Sequence, residues 1–229
     1  MAWGFDDFKK YLKITFSKRT DLENIDSENL YETWINAAYR DLTTRTKFWA
    51  LKKEFYFPEL FTPDVSQSTS DGVAYIDVPS DCLYIVDVYD ATSKVQLDWM
   101  SWGWYRSQTD RADTAKEDNP TKWHRHGDYI YLHKTPDTIY SMDIDYKKRV
   151  TDLTGTGETV IGPEWDEVIL TLARVKGFSW LRDWDQFERF KEEFMEQAAN
   201  LVGIYDREER LSRREVMKPD HRYYHKKRY

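Results

Sequence analysis

The spacing of apolar residues changes twice along this chain, and that change limits its possible folds more than any other feature. Between residues 5 and 45, and again between 163 and 205, apolar side chains recur every three or four residues, the period of an amphipathic helix. Between residues 54 and 147, short stretches alternate in the manner of half-buried strands. The sequence therefore predicts an α+β protein: a helical bundle with an inserted small antiparallel β domain and an extended C-terminal arm.

Four helices are predicted, two on each side of the β region. The first covers residues 5–18, and the second begins at Ser27, a favourable N-cap, and runs to about residue 45. The third begins at Pro163, which fits a first helical turn, and reaches about residue 180. Asp183 caps the fourth, which ends near Tyr205 or continues into an arginine-rich segment. Their apolar faces are Phe5, Phe8, Leu12 and Phe16; Leu30, Trp34, Ala38 and Leu42; Val168, Ile169, Leu172 and Val175; and Phe187, Phe190, Phe194, Ala198 and Leu201.

The middle of the chain predicts five or six short strands, enough for a small sheet, a sandwich or a barrel. The strands are placed at residues 54–57, 73–78, 82–89, 95–99, 128–133 and 139–147. Residues 62–72 are rich in turn formers and are predicted to be a loop. Residues 101–122 form either a loop or a short helix at 102–106. The resulting divisions are helices at 1–52, the β domain at 53–153, helices at 154–206 and a basic arm at 207–229.

Charge is distributed very unevenly between the body of the chain and its end. The whole chain carries a net charge of −7, yet residues 210–229 hold eight basic and two acidic side chains. The other 209 residues hold 26 basic and 39 acidic side chains, a net charge of −13. Because affinity for phosphate comes from lysine and arginine, the acidic body is not expected to bind nucleic acid over its general surface.

The basic arm also contains tyrosines, which solvated disordered tails usually lack. Basic residues mixed with tyrosine are typical of a segment that docks on a partner and becomes ordered there. A solvated, disordered terminus is the other interpretation of the same residues. The candidate binding residues are Arg210, Arg213, Arg214, Lys218, Arg222, Tyr223, Tyr224, Lys226, Lys227, Arg228 and Tyr229.

Several classes of protein are excluded by composition. No apolar run approaches the ~18–20 residues that a membrane span needs, and residues 1–8 do not form a signal peptide. A single cysteine, Cys82, excludes an intrachain disulfide framework and a cysteine-based zinc cluster.

Motifs for catalysis or for cofactor binding are also missing from the sequence. The chain contains no GxxxxGK[ST], GxGxxG, GxSxG or HExxH, so we expect neither an enzyme nor a cofactor. His124 and His126 would share one face of a strand, but two imidazoles make a poor metal site. His221 and His225 are an equally weak pair. Cys82 lies in an apolar strand and is interpreted as a small buried hydrophobe.

An aromatic cluster at residues 99–105 offers an alternative function. Trp99, Trp102, Trp104 and Tyr105 could stack on sugar rings, with Asp98 and Arg106 as polar partners. This interpretation predicts a carbohydrate-binding or surface-binding tail module. Packing of the same rings against the protein core or a neighbouring subunit is the structural interpretation. A nucleic-acid-binding protein that acts through its basic arm is a further alternative.

A set of segments in a fixed order extends over most of the chain. It consists of residues 34–42 (WINAAYRDL), 75–88 (YIDVPSDCLYIVDV) and 129–136 (YIYLHKTP), of Pro120, Trp123 and Gly127 before the last of these, and of the helix opened at Pro163. This order of features resembles the head-to-tail adaptor, or connector, proteins of tailed bacteriophages. The high tryptophan count and the long basic arm depart from the usual pattern.

This resemblance implies a virion structural protein at the capsid–tail junction, made in the host cytoplasm and not associated with a membrane. Such adaptors form rings of about twelve copies below the portal protein, contact tail or nozzle proteins, and take part in genome ejection. Their C-terminal arm docks on the portal, which assigns the arm residues above to portal binding. Double-stranded DNA passes through the ring without specific binding, which an acidic channel lining favours because it repels phosphates.

Overall fold

The computed structural model describes residues 3–17, 19, 22, 27–44, 57–109 and 117–216. Within these ranges the chain forms helices and two small, mostly antiparallel sheets, which confirms the predicted α+β class. The chain divides into a helical unit, Met1–Phe55 with Asp152–Tyr229, and a β unit, Tyr56–Thr151.

The helices are α1 (Phe5–Phe16), α2 (Ser27–Thr44), α3 (Trp102–Thr109), α4 (Asp166–Trp180) and α5 (Trp184–Val216). The strands are β1 (Phe61–Ser68), β2 (Tyr75–Asp77), β3 (Cys82–Asp90), β4 (Val95–Gln96), β5 (Asp98–Trp99), β6 (Lys122–His126), β7 (Tyr129–His133) and β8 (Ser141–Lys148). Short 3-10 turns at Pro58–Leu60 and Pro163–Trp165 precede β1 and α4.

Aromatic side chains join the two helical pairs into one core. Phe16 of α1 contacts Phe178 of α4 at 4.7 Å and Trp34 of α2 at 5.3 Å between ring centroids. The predicted faces of α1 and α4 are buried throughout. Gly177 of α4 lies where these rings meet, and a Cβ atom added there would stand 2.6 Å from Phe16 Cζ. The glycine therefore permits the close approach of α4 to the first two helices.

Buried hydrogen bonds fix the chain where it returns to the helical unit. Asn36 of α2 donates its Nδ2 to the Leu153 carbonyl at 3.2 Å, and its Oδ1 accepts from the Leu153 N–H at 2.7 Å. The buried carboxylate of Asp166 accepts from Trp3 N at 2.8 Å and from Thr159 Oγ1 at 3.0 Å. Burial raises the pKa of Asp166, since desolvation disfavours the charged carboxylate. These bonds satisfy backbone groups that would otherwise be buried without partners.

The β unit contains two four-stranded sheets, ordered β1-β8-β3-β4 and β2-β7-β6-β5. All described strand pairs are antiparallel except β5 with β6. One cluster of buried side chains is drawn from both sheets, as period-2 alternation directs every second residue inward. Its members are Ile76, Cys82, Val88, Leu97, Trp123, Ile130, Leu132, Tyr140, Met142, Ile144 and Tyr146.

Two sequence predictions for the β unit are wrong. Residues 62–72, predicted to be a loop, include most of β1, which pairs along β8 as an edge strand. Its polar, turn-forming residues fit an exposed edge, where Pro63 interrupts no central ladder and Asp64 adopts a positive φ of 55° at an irregularity in the pairing. The strand predicted at 95–99 is two strands, β4 and β5, which divide around buried Leu97 and join different sheets.

Lys147 of β8 is a charged residue that is buried although it lies outside the core cluster, on the strand face opposite Ile144 and Tyr146. It is 2% exposed, and its Nζ has no hydrogen-bond partner among the described residues. The Phe57 ring centroid lies 5.9 Å from this Nζ. Burial lowers the pKa of Lys147, because the ammonium form is poorly solvated there.

We expect Lys147→Met to stabilise the protein by about 1–3 kcal/mol at pH 7, since it removes a buried unpaired donor and keeps the volume. Between the lowered native pKa and the unfolded value of 10.5, the unfolded state binds a proton that the native state lacks. The free energy of unfolding of the wild type therefore rises with pH through that window, whereas that of the variant does not rise from this cause. Urea unfolding at pH 7 and 9.5 measures both effects; half-buried Lys148→Met is the control.

Candidate functional site

The basic segment begins on the last helix. Helix α5 continues to Val216, the longer of the two predicted lengths, so residues 207–216 of the predicted arm are helical. Positions 210, 213 and 214 lie three and four residues apart and share one side of this helix. The other candidate arm residues lie outside the described part of the chain: Lys218, Arg222, Tyr223, Tyr224, Lys226, Lys227, Arg228 and Tyr229.

Helix α5 is anchored along α4 up to Tyr205. Phe190 stacks on Phe178 at 5.3 Å, with the two rings only 6° from parallel. At the other end of the contact, the Tyr205 hydroxyl hydrogen-bonds to Glu164 and accepts from Trp165 Nε1 at 3.4 Å. A 33-residue helix spans about 50 Å. The basic positions thus begin little more than one turn beyond a firmly packed base.

The 99–105 cluster belongs to the β unit, where α3 packs on the second sheet. Trp102 stacks on His126 of β6 at 4.2 Å and 2°, and on Tyr105 at 5.4 Å and 20°. His124 of β6 also contacts Trp102, at 5.6 Å. The Trp102 ring is therefore occupied by contacts within the protein, as the structural interpretation of this cluster expects.

Other members of the cluster differ in exposure. Trp99 remains 63% exposed, whereas Tyr105 is buried and Trp104 packs at 4.8 Å on the ring of His133. Burial raises the pKa of Tyr105, with the neighbouring Tyr131 hydroxyl adding to the shift. Trp99 is therefore the member of the cluster whose ring is mainly exposed, which is a smaller stacking surface than the four rings considered for sugar binding.

Among the described residues, Cys82 and the pair His124 and His126 lie in the β unit, whereas the pair His221 and His225 lies outside the described part of the chain. Cys82 is buried; Arg125 Nη1 lies 3.6 Å from its Sγ and donates to the Leu83 carbonyl at 2.9 Å. Burial raises the pKa of the Cys82 thiol, which disfavours the reactive thiolate. Within the described ranges, no group of three or more metal-ligating side chains occurs. In the same residues, no helix combines the length and apolar character needed to cross a membrane.

The first sheet carries acidic residues on the face opposite its core. Asp87 of β3 stands directly across from Asp145 of β8, and Asp143 lies two residues before Asp145 on the same strand face. Gln96 Nε2 donates to Asp87 at 2.5 Å, and the Asp64 N–H donates to Asp145 at 2.9 Å. Like charges placed opposite each other on a sheet are unfavourable for stability. This part of the acidic body thus presents concentrated negative charge.

Sequence reasoning did not find the contact between α3 and the histidines of β6 and β7. His133 is the most telling case, because it lies nearly thirty residues from Trp104 in sequence. The alternation of β7 indicates the sheet face on which His133 lies, but no local pattern indicates what covers it. The acidic pair Asp87 and Asp145 likewise depends on strand register, which the sequence alone does not give.

Comparison with known proteins gives one family. The sequence model of the SU10 adaptor protein family matches residues 10–220, more than nine-tenths of the chain. The matched region includes all of the β unit, most of the helical unit and the first part of the basic segment. None of the curated proteins compared with the chain matches it.

Proposed function

Since this chain belongs to the SU10 adaptor protein family of phage head-to-tail adaptors, we propose that it forms a ring on the portal and connects the capsid to the tail. The family match carries this proposal, because it extends over nearly the whole chain. The chain is an adaptor and a structural protein of the phage particle. We propose further that the ring contains about twelve copies and that it contacts tail or nozzle proteins on its other side.

We propose that residues 207–229 bind the portal. The anchoring of α5 at Tyr205 supports this assignment, because it gives the segment a rigid base from which to reach a partner. A net charge of +6 over residues 210–229 favours an acidic or grooved partner surface. Arginine suits such a surface, since its planar guanidinium can pair with a carboxylate through two hydrogen bonds.

We further propose that acidic faces of the ring line the passage for DNA. The juxtaposed Asp87 and Asp145 support this idea, because negative charge repels phosphates and discourages sticking. Specific DNA binding is not part of the role. The adaptor acts mechanically and is not an enzyme, consistent with the buried, protonation-favoured thiol of Cys82.

Removing residues 207–229 tests the role of the arm. We expect the truncated chain to keep its fold, because the described packing of α5 on α4 ends at Tyr205. It should fail to co-sediment with portal rings from the same phage, whereas the full chain binds them. Circular dichroism checks the fold. Unchanged portal binding by the truncated, folded chain would contradict the proposal.

A duplex DNA control separates this role from nucleic-acid binding through the arm. Arm-dependent DNA binding would weaken steeply as salt rises, because bound phosphates release their counterions when a protein replaces them. We expect weak DNA binding beside strong portal binding at the same salt concentration. The reverse order would favour the nucleic-acid alternative.

A further inference from the structure

Three of the five histidines in the chain lie on one face of the second sheet, under α3. In β6 and β7, Trp123, Ile130 and Leu132 face the core, so the residues between them face the opposite way. His124 and His126 of β6 and His133 of β7 alternate with these core residues. Their rings and that of Tyr131 contact the aromatic residues of α3: His124 and His126 contact Trp102, His133 contacts Trp104, and Tyr131 contacts both Trp102 and Tyr105.

His133 differs from the other two in its surroundings. Its Nδ1 is buried and has no hydrogen-bond partner among the described residues, whereas His124 Nδ1 lies 2.8 Å from the Met100 carbonyl. A buried ring nitrogen without a partner is compatible with a neutral imidazole. Protonation would place an N–H donor there with nothing in the described residues to accept it, which costs free energy.

The charged groups around His133 are mainly positive. Lys122 stands opposite it on β6, with Nζ 4.7 Å from the Trp104 ring that His133 also contacts. Lys134 follows it in the chain and is paired with Asp118 at 2.5 Å. Helix α3 adds Arg106 as its charged residue. Burial, then Lys122 and Lys134, lower the pKa of His133, so a proton on this ring is unfavourable while α3 is docked.

We propose that α3 is a pH-sensitive cap, released from the second sheet when His133 takes up a proton. Release of α3 exposes the His133 ring to water but leaves Lys122 and Lys134 beside it on the sheet, so the pKa of His133 rises towards the 6.5 of an ordinary histidine. Docked α3 holds the ring neutral below that value. Docking is therefore strongest above pH 6.5 and weakens as the pH falls towards the lowered docked value, by up to about tenfold for each pH unit.

Release uncovers a tyrosine face. Tyr131 lies beneath Trp102 and Tyr105, and its ring also contacts Tyr75 at 6.0 Å and Tyr129 at 6.3 Å. Tyr75 and Tyr129 are already 45% and 41% exposed. Acidic pH therefore exposes the Tyr131 ring, which contacts both Tyr75 and Tyr129. The aromatic surface that these two tyrosines already form on the β unit becomes larger.

NMR of the 15N-labelled tryptophan indoles tests the proposal on the full chain. The Trp104 signal, assigned with Trp104→Phe, should move in one transition between pH 8 and 5. Amides of α3 should lose exchange protection over the same range. In His133→Gln, which is neutral at every pH, both changes should vanish. His126→Gln is the matched control, since it removes a ring contact with α3 but leaves His133, and should retain the Trp104 transition.

A permanent charge provides the second test. His133→Lys should give, at pH 8, the low-protection α3 that wild type shows at pH 5, while the remaining amides of the β unit keep their protection. A Trp104 signal that does not change between pH 8 and 5, or a transition that persists in His133→Gln, would overturn the proposal. A protected α3 in folded His133→Lys would do the same.

Discussion

Replacing Gly177 with valine is expected to destabilise the helical unit by about 3 kcal/mol, the upper end of the usual cost of overpacking a core. A Cβ at this position would stand 2.6 Å from Phe16 Cζ and 2.9 Å from Trp34 Cε3. Both rings are almost fully buried and contact each other, so neither has free space into which to move. Valine adds two further methyl groups to that collision.

A matched glycine on α5 provides the control. Gly203 is exposed, and a Cβ added there meets nothing within 4 Å. Gly203→Ala should stabilise the protein by up to about 1 kcal/mol, because alanine is the better helix former. Urea unfolding followed by far-ultraviolet circular dichroism measures both variants. Equal stability of Gly177→Val and wild type would show that the helices do not approach each other as described.

Reversing three arginines of α5 is expected to weaken portal binding by at least tenfold, about 1.4 kcal/mol. The variant Arg210→Glu, Arg213→Glu, Arg214→Glu places three negative charges at positions that share one helix side. If this side meets an acidic partner, three attractions become repulsions, which suppresses association more than simple removal of charge. Sedimentation or surface-plasmon binding to portal rings measures the loss.

Charge reversal elsewhere separates a local effect from the change in net charge. Lys10, Lys94 and Arg189 are exposed, and their conversion to glutamate changes the net charge by the same amount. This control should bind portal rings within a few-fold of wild type, because its altered charges lie outside the proposed docking segment. A comparable loss in both variants would refute the local role of the arm.

Helices were predictable from sequence because their signals are local. The core faces of α1 and α4 follow from apolar spacing, and Asp183 caps α5 as expected by accepting from Gln186 N at 3.4 Å. Strand β3 was also predictable, because it is a long apolar run bounded by turn residues. The α+β class follows from these elements together.

Edge and divided strands were not predictable in the same way. The composition of β1 is that of a loop, and its strand conformation comes from pairing with β8, which lies more than seventy residues away. Tertiary pairing therefore overrode local propensity. Nothing local indicates that the chain changes sheets at Leu97 either, since β4 and β5 each contain only two residues.

The candidate site could be predicted only in part from the sequence. Composition revealed the basic arm, and the continuation of α5 to Val216 was one of two predicted outcomes. By contrast, the cap that α3 forms over His133 depends on how a helix and two strands come together. Contacts of this kind reflect tertiary packing, which periodicity does not encode.

Electron cryomicroscopy of the adaptor bound to its portal would show where residues 207–229 lie in the assembly. We expect a ring of about twelve adaptors in which these residues of each copy lie against the portal, with arginines facing its carboxylates. Density that shows this segment extending into solvent, while other surfaces of the chain contact the portal, would contradict it.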